Sequence, residues 1–122
     1  MKIQESAENY LETIYVLGQT GKVRSVDICA ALDYTRPSVS VAMKKLRRDG
    51  YIDIGDGGFI TLTEKGQAVA ESMHERHTLL SDWLISLGVD EKTARDDACR
   101  IEHIISEQSF SAIKDAIACW GK

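Results

Sequence analysis

Thr35-Arg36-Pro37-Ser38-Val39-Ser40-Val41-Ala42-Met43-Lys44-Lys45-Leu46-Arg47-Arg48-Asp49-Gly50 decides how this chain folds. Thr35 is a natural N-cap, and Pro37, the only proline, falls in the first helical turn, where a missing N–H costs nothing. Val39, Ala42, Met43 and Leu46 recur at helical spacing as one apolar stripe, and Gly50 stops the helix. Before it, Asp33-Tyr34-Thr35 makes a turn behind a short helix that Ser25 caps, with Ile28, Cys29 and Leu32 facing inward. Earlier still, Ser6 caps a first helix with Tyr10, Ile14 and Leu17 along one side. After Gly50, Tyr51-Ile52-Asp53-Ile54 and Phe59-Ile60-Thr61-Leu62 flank the Gly-rich Gly55-Asp56-Gly57-Gly58, the pattern of a β-hairpin. Helix, helix, helix, hairpin is the order of a winged helix-turn-helix.

The rest of the chain is helical. Thr63 caps a long helix from Glu64 to Leu87, with Met73, Leu80, Trp83, Leu84 and Leu87 lining its second half and Gly88 ending it. Asp90 caps a helix to Ser106, and Ser109 caps a last one ending near Trp120. The expected fold is therefore mainly α, with a winged-helix domain over 1–66 and a helical domain over 67–122.

The chain has 122 residues and a net charge of −4. That charge is unevenly placed. Residues 1–66 balance nine Lys/Arg against nine Asp/Glu, while 67–122 hold six against ten. No apolar run approaches the roughly 18 residues needed to span a membrane. Met1-Lys2-Ile3-Gln4-Glu5 has no apolar signal core, so a cytoplasmic protein is expected. Cys29, Cys99 and Cys119 are an odd, widely spaced set, which fits a reducing compartment better than a disulfide framework.

The third helix carries a reading surface opposite its core stripe. Arg36, Pro37, Ser38, Ser40 and Val41 are small or polar groups near its N-terminus, followed by Lys44, Lys45, Arg47 and Arg48. No acid stands between Asp33 and Asp49. A helix in the major groove needs this combination, with base-approaching groups first and backbone-holding cations after. Arg36 is the candidate for a bidentate guanine contact, Ser38 and Ser40 for phosphates, and Val41 or Pro37 for a thymine methyl. Asp53 and Asp56 make the hairpin tip acidic and a poor phosphate binder.

A second constellation lies in Asp96-Asp97-Ala98-Cys99-Arg100-Ile101-Glu102-His103. Cys99, Glu102 and His103 project from one helical face, and a thiolate, a carboxylate and an imidazole together suit a transition metal. Glu8, Asn9 and Glu12 offer oxygen donors within one turn of the first helix, and His77, with His74 before it, offers an imidazole on the long helix. The plainer alternative is a small buried cysteine and packed histidines. Cys99 with His103 could also form a nucleophile–base pair, but no third orienting group or oxyanion feature accompanies them, so an enzyme is not expected.

Features along nearly the whole chain resemble the diphtheria-toxin-repressor and manganese-transport-regulator family of metal-dependent repressors. They are Ala7-Glu8-Asn9-Tyr10-Leu11-Glu12-Thr13-Ile14-Tyr15, Arg36-Pro37-Ser38-Val39-Ser40, Leu46-Arg47-Arg48-Asp49-Gly50-Tyr51, Leu62-Thr63-Glu64-Lys65-Gly66, Glu75-Arg76-His77 and, most specific, Ala98-Cys99-Arg100-Ile101-Glu102-His103. The resemblance is to the short members lacking an SH3-like domain. It implies that Cys99, Glu102 and His103 are ligands of the main metal site. Asn9 stands where relatives place a Met or Asp ligand, and Glu12 and His77 match a second site of the manganese-type members. Ser81 and Arg95 replace the Glu and His of the ancillary site of the iron-type members.

The family further implies a homodimer on a palindromic duplex operator, joined through the apolar faces around Trp83, Leu84, Leu87, Ile101 and Ile105. Metal held by both lobes would set the spacing of two recognition helices at about 34 Å or its multiples. The Cys99 thiolate ranks Fe(II) first. The hard oxygens of Asn9, Glu12 and Glu102 make Mn(II) the runner-up, and other divalent transition metals can substitute in vitro. Two other readings compete. One is a winged-helix regulator sensing a small molecule or redox change through Cys99. The other is a helical adaptor without a DNA role, against which the basic third helix speaks.

Overall fold

A computed structural model describes residues 5–120, with side chains over 6–119. The opening stretch before Glu5, expected to carry no signal core, lies outside the described residues. The elements are α1 (Glu5–Gly18), α2 (Ser25–Leu32), α3 (Arg36–Arg48), β1 (Ile52–Ile54), β2 (Ile60–Leu62), α4 (Glu64–Ser86), α5 (Glu91–Ile104) and α6 (Glu107–Trp120), with one 3-10 turn at Asp56–Gly58. The fold is mainly helical with one small sheet, as expected. By its internal contacts the chain divides into two compact units, Met1–Ser72 and Met73–Lys122, the boundary falling inside α4.

In the first unit, α3 forms where the caps and stripe place it. Thr35 Oγ1 accepts from the Ser38 N–H at 3.4 Å, and Val39, Met43 and Leu46 are buried. They join Leu11, Ile14, Ile28, Ile52 and Ile60 in one core, and burying each such side chain contributes about 1.5–3 kcal/mol. Gly50 has φ +85, a left-handed turn that glycine adopts without strain. Strands β1 and β2 pair antiparallel with Ile52 opposite Leu62 and Ile54 opposite Ile60. A further rung was not foreseen. Val23 forms an antiparallel bridge to Ile60, its carbonyl accepting from the Ile60 N–H at 2.7 Å.

The second unit packs α5 and α6 against the later part of α4. Leu80, Ala98 and Phe110 are its buried centre, with Leu79, Trp83, Ile101, Ile105 and Ile113 packed around them. Asp90 caps α5, its carboxylate accepting from the Thr93 N–H at 3.4 Å.

Three expected caps are corrected. Ser6 lies inside α1, and Ser25 lies inside α2 behind the true cap, Arg24, whose backbone N–H donates to Asp27 Oδ2 at 2.9 Å. Ser106 rather than Ser109 caps α6, since Ser106 Oγ accepts from the Ser109 N–H at 3.1 Å and the Ser106 carbonyl from the Phe110 N–H at 2.9 Å. The α4 and α5 ends fall at Ser86 and Ile104, within two residues of the expected ends near Leu87 and Ser106.

Candidate functional site

Four of the expected metal donors meet inside the second unit. Cys99, Glu102 and His103 are one turn of α5, and their Sγ, carboxylate oxygen and ring nitrogen lie within 4.8 Å of one another. His77 comes from α4, its Nδ1 standing 3.3 Å from Glu102 Oε2, while His103 Nε2 stands 3.4 Å from Glu102 Oε1. The Glu102 side chain has no exposure at all, and neither of its oxygens receives a well-formed hydrogen bond. Both N···O separations exceed the usual 2.9–3.0 Å. Removing a carboxylate from water costs several kcal/mol unless an opposite charge compensates it. A thiolate, a carboxylate and two imidazoles gathered around such a centre fit a divalent transition ion.

Arg76 fixes the frame behind these donors. Its Nη1 donates to the carbonyls of Glu102 and Ile105, each at 3.0 Å, and its Nη2 donates to Glu107 Oε2 at 2.8 Å. Its guanidinium also lies 5.3 Å from the Phe110 ring centroid. One side chain of α4, next in sequence to His77, thus closes the end of α5 and the start of α6. Charged side chains are almost never buried unless paired. Nothing in the local pattern of residues marks this arginine, because its acceptors lie 26 to 31 positions away.

The remaining expected donors, Asn9 and Glu12, stand on α1 in the first unit. Glu12 is buried to 9% exposure. Asn9 is half-buried, its backbone carbonyl accepting from Thr13 Oγ1 at 2.8 Å. Of the two replaced ancillary positions, Ser81 is fully buried and Arg95 is tied to Glu91 at 3.2 Å on the surface.

The expected DNA-reading residues share one surface. Arg36, Pro37, Ser38, Ser40, Val41, Lys44, Lys45, Arg47 and Arg48 are all exposed, and Val41, a β-branched hydrophobe, is 68% exposed. Arg48 makes only a 3.4 Å surface pair with Asp49. Two neighbouring cations were missed, Lys22 and Arg24. The signal that could have found them is the charged–apolar–charged alternation Lys22-Val23-Arg24, a strand-like period of two.

Of the expected dimer residues, Trp83, Ile101 and Ile105 pack partly within their own unit, Leu84 is half-buried and Leu87 is 50% exposed. An apolar depression of about 220 Å³ lined by Trp83, Ile113, Ala116 and Ile117 opens beside them. Ile104, not foreseen as a surface residue, is 74% exposed. Among the described residues no helix is long and apolar enough to cross a membrane.

Comparison with known proteins accounts for most of the chain. Residues 2–56 match the model of the iron dependent repressor N-terminal DNA-binding domain, and 63–118 match that of the iron dependent repressor metal-binding and dimerisation domain. The chain is 33% identical over 115 residues to an uncharacterized HTH-type transcriptional regulator of Methanocaldococcus jannaschii, covering 92% of each. It is 36% identical over 113 residues to the HTH-type transcriptional regulator MntR of Lysinibacillus sphaericus, covering 92% of this chain and 81% of that one. Among solved structures it is similar to a manganese-dependent transcriptional repressor in complex with manganese, with TM-score 0.83 and 27% identity over 92% of this chain and 52% of the other. The chain therefore spans about half the length of that structure. The matched families and relatives are transcriptional regulators, not enzymes.

Proposed function

Because this chain belongs to the iron-dependent repressor family, that of the diphtheria-toxin repressor and the manganese-transport regulator, we propose that it is a metal-dependent transcriptional repressor of metal-uptake genes, acting in the cytoplasm as a homodimer on a palindromic operator. The observation that carries this reading is the fully buried Glu102 carboxylate, flanked by two imidazole nitrogens and a thiol within one unit. A bound divalent ion supplies the positive charge that this carboxylate lacks. His77, Cys99, Glu102 and His103 hold it, and Asn9 and Glu12 of the first unit complete the donor set. Gathering donors from both units fixes the two recognition helices of the dimer at a spacing matched to about 34 Å of duplex. The shift in DNA affinity is limited by the difference in metal affinity between the fixed and free poses. The apolar faces around Trp83, Leu84, Leu87, Ile101 and Ile105 join the two copies.

The donor set ranks Fe(II) first, because Cys99 is soft. Mn(II) is the second reading, favoured by the names of the MntR relatives and of the manganese-bound repressor. In anaerobic DNA-binding titrations, Fe(II) is expected to activate at lower concentration than Mn(II). Zn(II) also binds, as the Irving–Williams order requires. Tight activation by Mn(II) with Fe(II) inert would reverse the ranking, and activation by none of the three would sink the metal-dependent reading. At the DNA surface, Arg36→Ala is expected to weaken specific binding by about 1–3 kcal/mol and to relax sequence preference at one base pair. A uniform loss across all sequences would make Arg36 a phosphate contact instead.

A further inference from the structure

The strand-like rung at Val23 places two cations beside the hairpin. Lys22 Nζ lies 4.9 Å, and the Arg24 guanidinium carbon 4.4 Å, from the centroid of the Phe59 ring. Neither cation forms an ion pair with a carboxylate among the described residues, and Asp27, the nearest acid along the chain, is engaged by the Arg24 backbone N–H. The aromatic ring orients the two charges without neutralising them. The rung itself is held by the 2.7 Å bond between the Ile60 N–H and the Val23 carbonyl, so the pair is fixed to the hairpin rather than to a free loop. Arg24 also lines an open cleft of about 430 Å³ together with Arg36 and Ser40 of α3 and Gly58 of the hairpin turn. Arg24 is therefore continuous with the DNA-reading face of the same unit, and Lys22 shares its aromatic platform.

We propose that Lys22 and Arg24, presented on Phe59, grip the phosphate backbone of duplex DNA alongside the recognition helix, so that the flank of the hairpin and not its acidic tip is the wing's DNA contact. This rests on the DNA-binding reading above. It reconciles two observations, a hairpin turn carrying Asp56 and a fold whose hairpin stands next to the reading helix. A tip with a carboxylate repels phosphate, and two cations one rung away, on the bridge to β2, supply the attraction instead. Because the contact is to backbone, it is blind to sequence.

The test is a salt series of binding by the full-length, metal-loaded protein to a short duplex of arbitrary sequence, with Arg24→Ala and the double variant Lys22→Ala/Arg24→Ala. Each lost phosphate contact is expected to flatten the slope of log Kobs against log salt by about 0.9, which is about eightfold in affinity at 0.1 M salt relative to 1 M. The double variant loses about twice that slope, and Arg24→Lys restores it. A loss of affinity with the slope unchanged, or failure of Arg24→Lys to restore the slope in a variant whose melting temperature is normal, would overturn the proposal. Wild-type protein without salt-dependent binding would instead overturn the DNA-binding reading, so the two failures are distinguishable.

Discussion

Cys99→Ala and His103→Ala, made separately, are each expected to abolish the metal dependence of DNA binding while leaving the helical content and the residual, metal-independent affinity unchanged. The expectation follows from where the two donors sit. Cys99 is only partly buried, so its truncation spares the packing, whereas the His103 side chain is 2% exposed, so His103→Ala is expected to lower the melting temperature while keeping the helices. Both contribute donor atoms within 4.8 Å of the buried Glu102 carboxylate. Even losing an outer partner of a ligand costs about 10–100-fold in metal affinity, so losing a ligand is expected to cost at least about 100-fold. Metal titration followed by fluorescence or calorimetry, with DNA binding measured in parallel, checks this. A variant that folds and responds to metal as the wild type does would show that the donors lie elsewhere.

Gly66→Ala is expected to be the most damaging single-methyl change in the first unit. Gly66 sits in the first turn of α4, where helix propensity alone would reward alanine by about 0.5–1 kcal/mol. The space does not allow it. A Cβ there would overlap the Tyr51 carbonyl oxygen and stand 3.0 Å from its carbon and 3.3 Å from Leu62 Cδ2. The two nearest of these atoms are backbone and cannot rotate away. That carbonyl also accepts from the Thr63 N–H at 3.1 Å, while the Thr63 hydroxyl donates to the Gly50 carbonyl and accepts from the Gly66 N–H. Relieving the overlap therefore means prising the hairpin off α4 and breaking that set of bonds. Overpacking costs about 1–3 kcal/mol or occasionally more, and the upper end applies here, which corresponds to a fall in Tm of about 10 °C. DNA affinity should fall with it, since the hairpin carries Phe59. Thermal melting of a Gly66→Ala variant at the wild-type temperature would show that the chain can bend there at no cost.

How much of this was legible in the sequence varies from element to element. Helix α3 was fully legible, because its cap, its proline, its apolar stripe and its stop are each local signals that act over four residues or fewer. Cys99, Glu102 and His103 were legible as a set for the same reason, since a helix brings positions three and four apart onto one face. The hairpin was legible from its glycines, but the rung at Val23 was only faintly so, because the alternation Lys22-Val23-Arg24 is too short a run to tell a strand from the approach to α2. The α6 cap was ambiguous on its face. Ser106 and Ser109 are both good caps, and tertiary bonds decide between them, with Arg76 taking the Ile105 carbonyl just before Ser106. The placing of His77 against Glu102 required α4 and α5 to meet, which no spacing along the chain states.

Arg76 has a thermodynamic consequence for the site it supports. One guanidinium joins the backbone at Glu102, the backbone at Ile105 and the carboxylate of Glu107, and the next residue along its helix is His77. The separation of the α4 imidazole from the α5 carboxylate is thus settled when the second unit folds, not when an ion arrives. On the metal-binding reading proposed above, little of an ion's binding free energy would then go into ordering these four groups. Discrimination among ions accordingly falls on what differs between them at a fixed distance, their softness and radius, rather than on how far the chain can rearrange.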